Sequence, residues 1–317
     1  MTISDRRGLK LAARQAISQA SYDPKKLILI HTGASAVLSL VLALVDHLLE
    51  QQIGGTGGLS GVGMRSMLET AQMVLMLGQV AALVFWQIGY VFIALQLSKG
   101  EAVSPGSLLQ GFRRFGPVLH LRLKMAIWYF GMSMICVFLA SQIFSWTPWA
   151  APLKEILLLG GSQEAIMAAA EDCALPMLAI LLVVIAVIAV PAFYRLRMAE
   201  YVLMDDRRFG ATLAFYNSRV LMRKNRWKLF QLDLSFWWFY ALELLISIIA
   251  YGDLILPLVG LELPWSSTVS YYVFLILCYI GQLALYWWRG NEVQVTYAMA
   301  FRSLLPKQQE EPVQEAE

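Results

Sequence analysis

Six stretches of this 317-residue chain each run for about twenty mostly apolar residues, the length a helix needs to cross the hydrocarbon core of a bilayer. They lie at about 27–49, 70–97, 125–146, 174–198, 229–251 and 269–288. In lipid, every backbone N–H and C=O must be satisfied within the protein, so runs of this length fold as helices. The pattern predicts an all-α polytopic membrane protein with six transmembrane helices and amphipathic interfacial helices between them. Composition agrees: 58% of the residues are hydrophobic and 15% charged, where a soluble domain carries about a quarter charged residues.

Charge gives the orientation. Of the 25 Lys and Arg residues, all but Arg65 and Lys154 fall on one side of a six-crossing topology. Arg6, Arg7, Lys10, Arg14, Lys25 and Lys26 precede the first run, and Lys99, Arg113, Arg114, Arg122 and Lys124 lie between the second and third. The connection between the fourth and fifth carries nine more, from Arg195 to Lys228. Basic connections mark the cytoplasmic side, so both termini are expected in the cytoplasm of a multi-pass cell-membrane protein. Losing one helix would destroy this alternation.

Three regions follow. Residues 1–26 form a cytoplasmic basic segment in which Arg6, Lys10 and Arg14 share one helical stripe and Leu9, Ala12, Ala13, Ala16 and Ile17 another. Residues 27–302 form the six-helix domain, and 303–317 a disordered acidic cytoplasmic tail. Ser104 and Pro105 predict a helix start that brings Leu108, Phe112 and Phe115 together. On the external side, the Gly-rich connection 51–66 is a flexible loop, 156–170 is a short helix on the membrane surface, and the third loop contains Asp253, Pro257, Glu262 and Pro264. The basic amphipathic segments either lie at the level of anionic headgroups or simply join the spans.

Between 200 and 239 the chain carries a specific pattern. Arg226, Trp227, Lys228, Leu229 and Phe230 lead into Leu232, Asp233, Leu234, Ser235 and Phe236, and the chain later closes on Thr296, Tyr297, Ala298 and Phe301. This resembles the bacterial membrane-protein family called domain of unknown function 975, most distinctively at Trp227, Leu229, Phe230, Asp233 and Ser235. The chain departs from the family at Arg207 and Arg208, where an Asn-Pro-like turn is usual, and at Arg223 and Lys224, which replace a Gly-containing link. The resemblance implies a six-helix topology and brings no activity with it.

No motif for chemistry stands out. His31, His47 and His120 have no metal-binding spacing, the glycines from Gly54 to Gly63 fit no phosphate-loop register, and no nucleophile elbow occurs. Cys136, Cys173 and Cys278 are too scattered for a disulfide or thiolate-metal framework. No cofactor, metal site, catalytic residue or nucleic-acid partner is expected. What remains is polar residues at membrane depth, which face a protein interior or a cavity by default. Glu243 and Asp233 in the fifth span are the main candidates, with Gln79, Gln87 and Gln282 as possible hydrogen-bond partners of Glu243 and with Arg226 or Lys228 as a pairing for Asp233. Gly78 with Ala82, and Gly281 with Ala284, are expected to let helices approach closely.

Three functions fit these residues. The first is a non-enzymatic membrane protein, envelope-associated or accessory to another membrane system, with a protein partner or a second copy of itself. The second is a small transporter or channel using Glu243. The third is a lipid-headgroup-binding or lipid-handling protein at the cytoplasmic face. It would use Asp205 and Asp206 with a basic cluster of Arg219, Arg223, Lys224, Arg226 and Lys228, which otherwise has a structural role.

Overall fold

The computed structural model describes residues 3–55, 62–206, 208–250 and 268–305, and among these no strand occurs. In chain order the helices are α1 (Arg6–Ser18), α2 (Pro24–Gly55), α3 (Val62–Lys99), α4 (Gln110–Arg113), α5 (Phe115–Ser145), α6 (Ala151–Leu158), α7 (Gln163–Val184), α8 (Val190–Leu196), α9 (Ala199–Asp205), α10 (Ala211–Met222), α11 (Arg226–Leu234), α12 (Trp237–Ala250), α13 (Thr268–Leu285) and α14 (Asn291–Leu304). Five stretches are long and apolar enough to cross a membrane: Pro24–Leu49, Arg65–Lys99, Phe115–Ser145, Glu171–Asp205 and Val273–Leu304. There are six if α11 and α12, bent by 71° where they meet, count as one span. Large apolar side chains such as Val41, Met76, Phe138, Val187 and Leu277 stand exposed along these helices, on a scale that water would not tolerate and lipid requires. The chain is a multi-pass membrane protein.

It divides into two compact units. The first comprises Met1–Val118, Met204–Asp206 and Lys228–Glu317. Its hub is α14, which buries Val293, Val295, Tyr297, Ala298 and Phe301 and packs on α1 and α3. The helix does not stop at 288, the expected end of the last span. The helix runs on through a wide π turn at Tyr286–Gly290, because the polar residues that end the hydropathy signal find partners inside the protein. The expected tail is still helical at Leu304, and residues 306–317 lie outside the described residues.

The N-terminal helix packs inward. Asp5 caps α1, accepting from the Gly8 amide at 2.9 Å. Leu9 and Ala13, two members of its apolar stripe, are fully buried as α1 packs on α14, so that stripe meets protein. Pro105 does open a helical segment after Ser104, but the segment is a 3-10 turn, Pro105–Leu109, followed by the four residues of α4 and a break at Arg114. The break lets this segment lie against α3 with no side chain between. A Cβ on Gly89 would stand 1.8 Å from the Leu108 carbonyl oxygen, and one on Gly111 2.0 Å from that of Phe85. Phe112 and Phe115 converge on Phe85 at 5.5 and 4.7 Å. The close approach expected at Gly78 is absent among the described residues, none of which lies within 4 Å of its Cβ direction, and Gly281 makes only an ordinary contact with Ile246.

The second unit comprises Leu119–Leu203 and Arg207–Trp227. Cys136 and Ala140 of α5 bury against Val184 of α7, and Phe144, Ala150 and Cys173 form a second cluster. The single surface helix expected at 156–170 is two helices. Gly160 adopts φ +70°, the Gly161 amide reaches back to the Ile156 carbonyl at 2.9 Å, and Ser162 then caps α7. Pro191, which cannot donate to the ladder, follows a π turn at Ile185–Ala189. The expected third external loop and the middle of the Gly-rich connection, residues 56–61, lie outside the described residues.

Candidate functional site

The fifth span is not the straight helix its hydropathy predicts. At Ser235–Phe236 the ladder tightens. The Phe236 amide donates to Asp233 at 2.9 Å, and the Phe239 amide donates to the Phe236 carbonyl, also at 2.9 Å, in place of the Ser235 carbonyl one turn back. Ser235 turns its own hydroxyl to the Leu232 carbonyl at 2.6 Å. The displaced Ser235 carbonyl accepts from the Lys10 ammonium at 2.9 Å, and the same ammonium sits 3.8 Å from the centroid of the Phe236 ring. A cation on the first helix thereby satisfies the carbonyl that the bend releases.

Around this elbow the first unit gathers polar groups from α1, α2, α3, α12 and α14. Glu292, 8% exposed, accepts from Arg14 Nη2 at 2.9 Å and from Arg289 Nη1 at 2.5 Å. Two of the three cations on the basic stripe of α1 are therefore held by protein groups. Burial draws the Lys10 ammonium below its ordinary value, Glu292 works against this, and Arg14, Arg289 and Arg6 add to it. The Tyr297 hydroxyl donates to Asp233 and stands 2.7 Å from the Tyr240 hydroxyl. The Tyr90 hydroxyl donates to Asn291, whose amide donates to the Pro24 carbonyl at 2.9 Å. Tyr286, the first residue of the second π turn, donates to Glu243 at 2.5 Å.

The residues that form the elbow are those of the sequence pattern: Leu229 and Leu232 are fully buried beneath it, and Asp233, Ser235 and Phe236 make the turn itself. Over residues 2–287 the chain matches the family described as a protein of unknown function, DUF975. The chain belongs to the DUF975 family. Among curated proteins and solved structures, none matches it.

In this DUF975 protein the expected polar residues do not form one site. Glu243 takes Tyr286 as its partner, not a glutamine. Gln79 donates to Ser39 at 3.4 Å, and Gln87 stands 3.2 Å from His31, whose ring stacks on Tyr90 at 4.8 Å. Gln282 lies on α13, within the same unit. Asp233 receives its hydroxyl from Tyr297, 64 residues away, a partner that helix spacing near 226–228 does not reveal. Asp205 is engaged by Lys99 at 2.8 Å. Of the basic cluster, Arg219, Arg223, Lys224 and Lys228 are exposed and Arg226 half-buried, and Trp227 of the family pattern is 66% exposed. Among the described residues no group of three or more His, Cys, Asp or Glu side chains could hold a metal ion. Tyr286, Asn291 and Glu292 carry no sequence signal that singles them out, and the basic stripe that contains Lys10 does not reveal its partner Ser235, because these contacts join residues distant in the chain.

Proposed function

We propose that this DUF975 protein is a non-enzymatic, multi-pass component of a bacterial cytoplasmic membrane, envelope-associated or accessory to another membrane system, with both termini in the cytoplasm. The 23-to-2 division of basic residues supports the orientation. The observation that carries the rest is the Tyr286–Glu243 hydrogen bond. A carboxylate at membrane depth that moves ions, or takes part in a reaction, needs access to its charge. This one is held by a tyrosine on a neighbouring span, and Asp233 and Glu292 are likewise held by protein partners. Buried polar groups bonded in this way fix how helices pack.

The test is flux through proteoliposomes containing the purified chain alone. No proton or cation flux above that of empty liposomes is expected. Flux abolished by Glu243→Gln would overturn the reading in favour of a small transporter or channel. One observation favours that second reading: a groove of about 520 Å³ between α2, α3 and α13, lined by Ser39, Glu69, Gln72, Gln79 and Tyr279, offers polar groups along an otherwise apolar stretch.

A further inference from the structure

The second unit holds an arrangement that neither of these readings uses. Arg195 on α8, Arg219 on α10 and Arg226 at the start of α11 are brought into one neighbourhood. The Arg195 and Arg219 charges both act on Arg226, which places the three within electrostatic reach of one another. The sequence does not announce this meeting, since 31 residues separate the outermost pair. It is built by the packing of α10 on α8, fixed where the buried Ser218 hydroxyl donates to the Arg195 carbonyl at 3.0 Å. Trp128 of α5 completes it. The Arg219 guanidinium lies 5.5 Å from the Trp128 ring, which also meets Phe215 edge-on at 6.4 Å.

Like charges do not collect without compensation, because each raises the cost of desolvating the next. Elsewhere in this unit that compensation is visible: Arg122 pairs with Glu200 at 2.7 Å. Arg195, Arg219 and Arg226 make no ion pair with a carboxylate among the described residues. In addition, Arg195 Nε, Arg226 Nε and Trp128 Nε1 are buried N–H donors with no acceptor in the protein. A buried donor without an acceptor is costly, and these three, two of them on the arginines themselves, leave hydrogen bonds that an anion would satisfy. Trp128 lies near the start of the apolar run 125–146 and Arg195 near the end of the run 174–198, so both belong to the basic side of the spans.

We infer that Arg195, Arg219 and Arg226, with the Trp128 N–H, form a binding site for a phosphate-bearing anion. Three guanidinium groups and an indole N–H match the several acceptor oxygens of a phosphate group, which arginine engages through paired hydrogen bonds. The phosphate belongs either to an anionic lipid headgroup or to a free phosphate species. Arg219 is exposed and supplies the entry, while the half-buried Arg195 and Arg226 supply the floor.

The test uses the purified full chain. One arm measures binding to vesicles of phosphatidylcholine alone and to vesicles with about one-fifth phosphatidylglycerol. The other measures thermal stabilisation of the detergent-solubilised chain by inorganic phosphate, with chloride at matched ionic strength as the control. Binding is expected in at least one arm. Arg195→Gln with Arg226→Gln should weaken it by at least about tenfold, since either loss alone removes a charge-assisted hydrogen bond of that order. Arg223→Gln with Lys224→Gln, the same change in charge at exposed neighbours, should weaken it less than about twofold. Preference for the anionic vesicles without a phosphate response identifies a lipid, and the converse identifies a soluble phosphate. No response in either arm overturns the site, as does an equal loss from the two double variants, which would mean diffuse attraction to charge. Should the Arg195 and Arg226 variant fail to fold, Arg219→Gln replaces it at an exposed position and must show the same selective loss.

Discussion

The Lys10 ammonium and the Ser235 main-chain carbonyl, 225 residues apart in sequence, meet at 2.9 Å and close the bend in the fifth span. Side-chain donors to backbone carbonyls usually act within a helix terminus. Here the donor comes from a separate helix and the acceptor from the break between α11 and α12, so α1 is part of what makes the bend stable.

Replacing Lys10 by Met removes the donor while keeping a flexible apolar stem over Phe236. The stranded carbonyl should cost about 1–3 kcal/mol, which lowers Tm by several degrees, with partial recovery in Lys10→Arg. Thermal unfolding in detergent checks this, and an unchanged Tm for Lys10→Met would remove Lys10 from the account of the bend.

Lys10 should titrate below the ordinary lysine value of 10.5, because burial disfavours its charge. The folded state then holds this proton less firmly than the unfolded chain. The contribution of Lys10 to stability therefore rises with pH between its lowered folded value and 10.5, and is flat below that window. Glu292→Gln removes the charge that opposes the shift, so it should push Lys10 lower still. NMR titration of methyl-labelled lysines reads both effects, and a Lys10 that titrates with the exposed lysines contradicts them.

Gly89→Ala and Gly111→Ala would each force a Cβ into backbone at 1.8 and 2.0 Å, so both should abolish folding or cost several kcal/mol. Gly78→Ala meets open space and should be neutral, or stabilising by up to about 1 kcal/mol, through helix propensity. Folded yield and Tm of the three variants decide it. Equal behaviour of all three would show that the segment Pro105–Arg113 does not lie on α3 as described.

Tyr286→Phe should destabilise by about 1–3 kcal/mol, because it leaves the Glu243 carboxyl without its donor. Combined with Glu243→Gln, the two changes should be non-additive, since they share one bond. A double-mutant cycle on Tm with coupling indistinguishable from zero would separate the two residues.

The long spans could be read from the sequence because lipid imposes a length and a composition on them. What could not be read is wherever a span departs from regularity. Asp233, Ser235 and Phe236 read as interior positions of a helix, and only the distant Lys10 makes it affordable to release a carbonyl there. Val293, Tyr297 and Phe301 fell below the hydropathy signal because they bury against α1 and α3, where neighbouring Glu292 and Asn291 find polar partners. Glu243 and Asp233 stand out as charges in an apolar run, but nothing in the sequence pairs them with Tyr286 and Tyr297, 43 and 64 residues away. The arginine socket was half visible: Arg219 and Arg226 belonged to an evident basic cluster, while Arg195 and Trp128 join them only through the fold.

Arg14 and Glu292 are separated by 278 residues, so α1 finds this partner only after the whole stretch between them has been made. Contacts so distant along a chain are closed late, after the entropy of every intervening segment has been overcome. Until then Leu9 and Ala13, fully buried in the folded protein, have nothing of α14 to cover them. The second unit consists largely of contiguous sequence and has no such delay. Truncation before Asn291 would therefore leave a chain whose spans insert but whose first helix never docks, a trapped intermediate that quality-control proteases would recognise by its exposed amphipathic end.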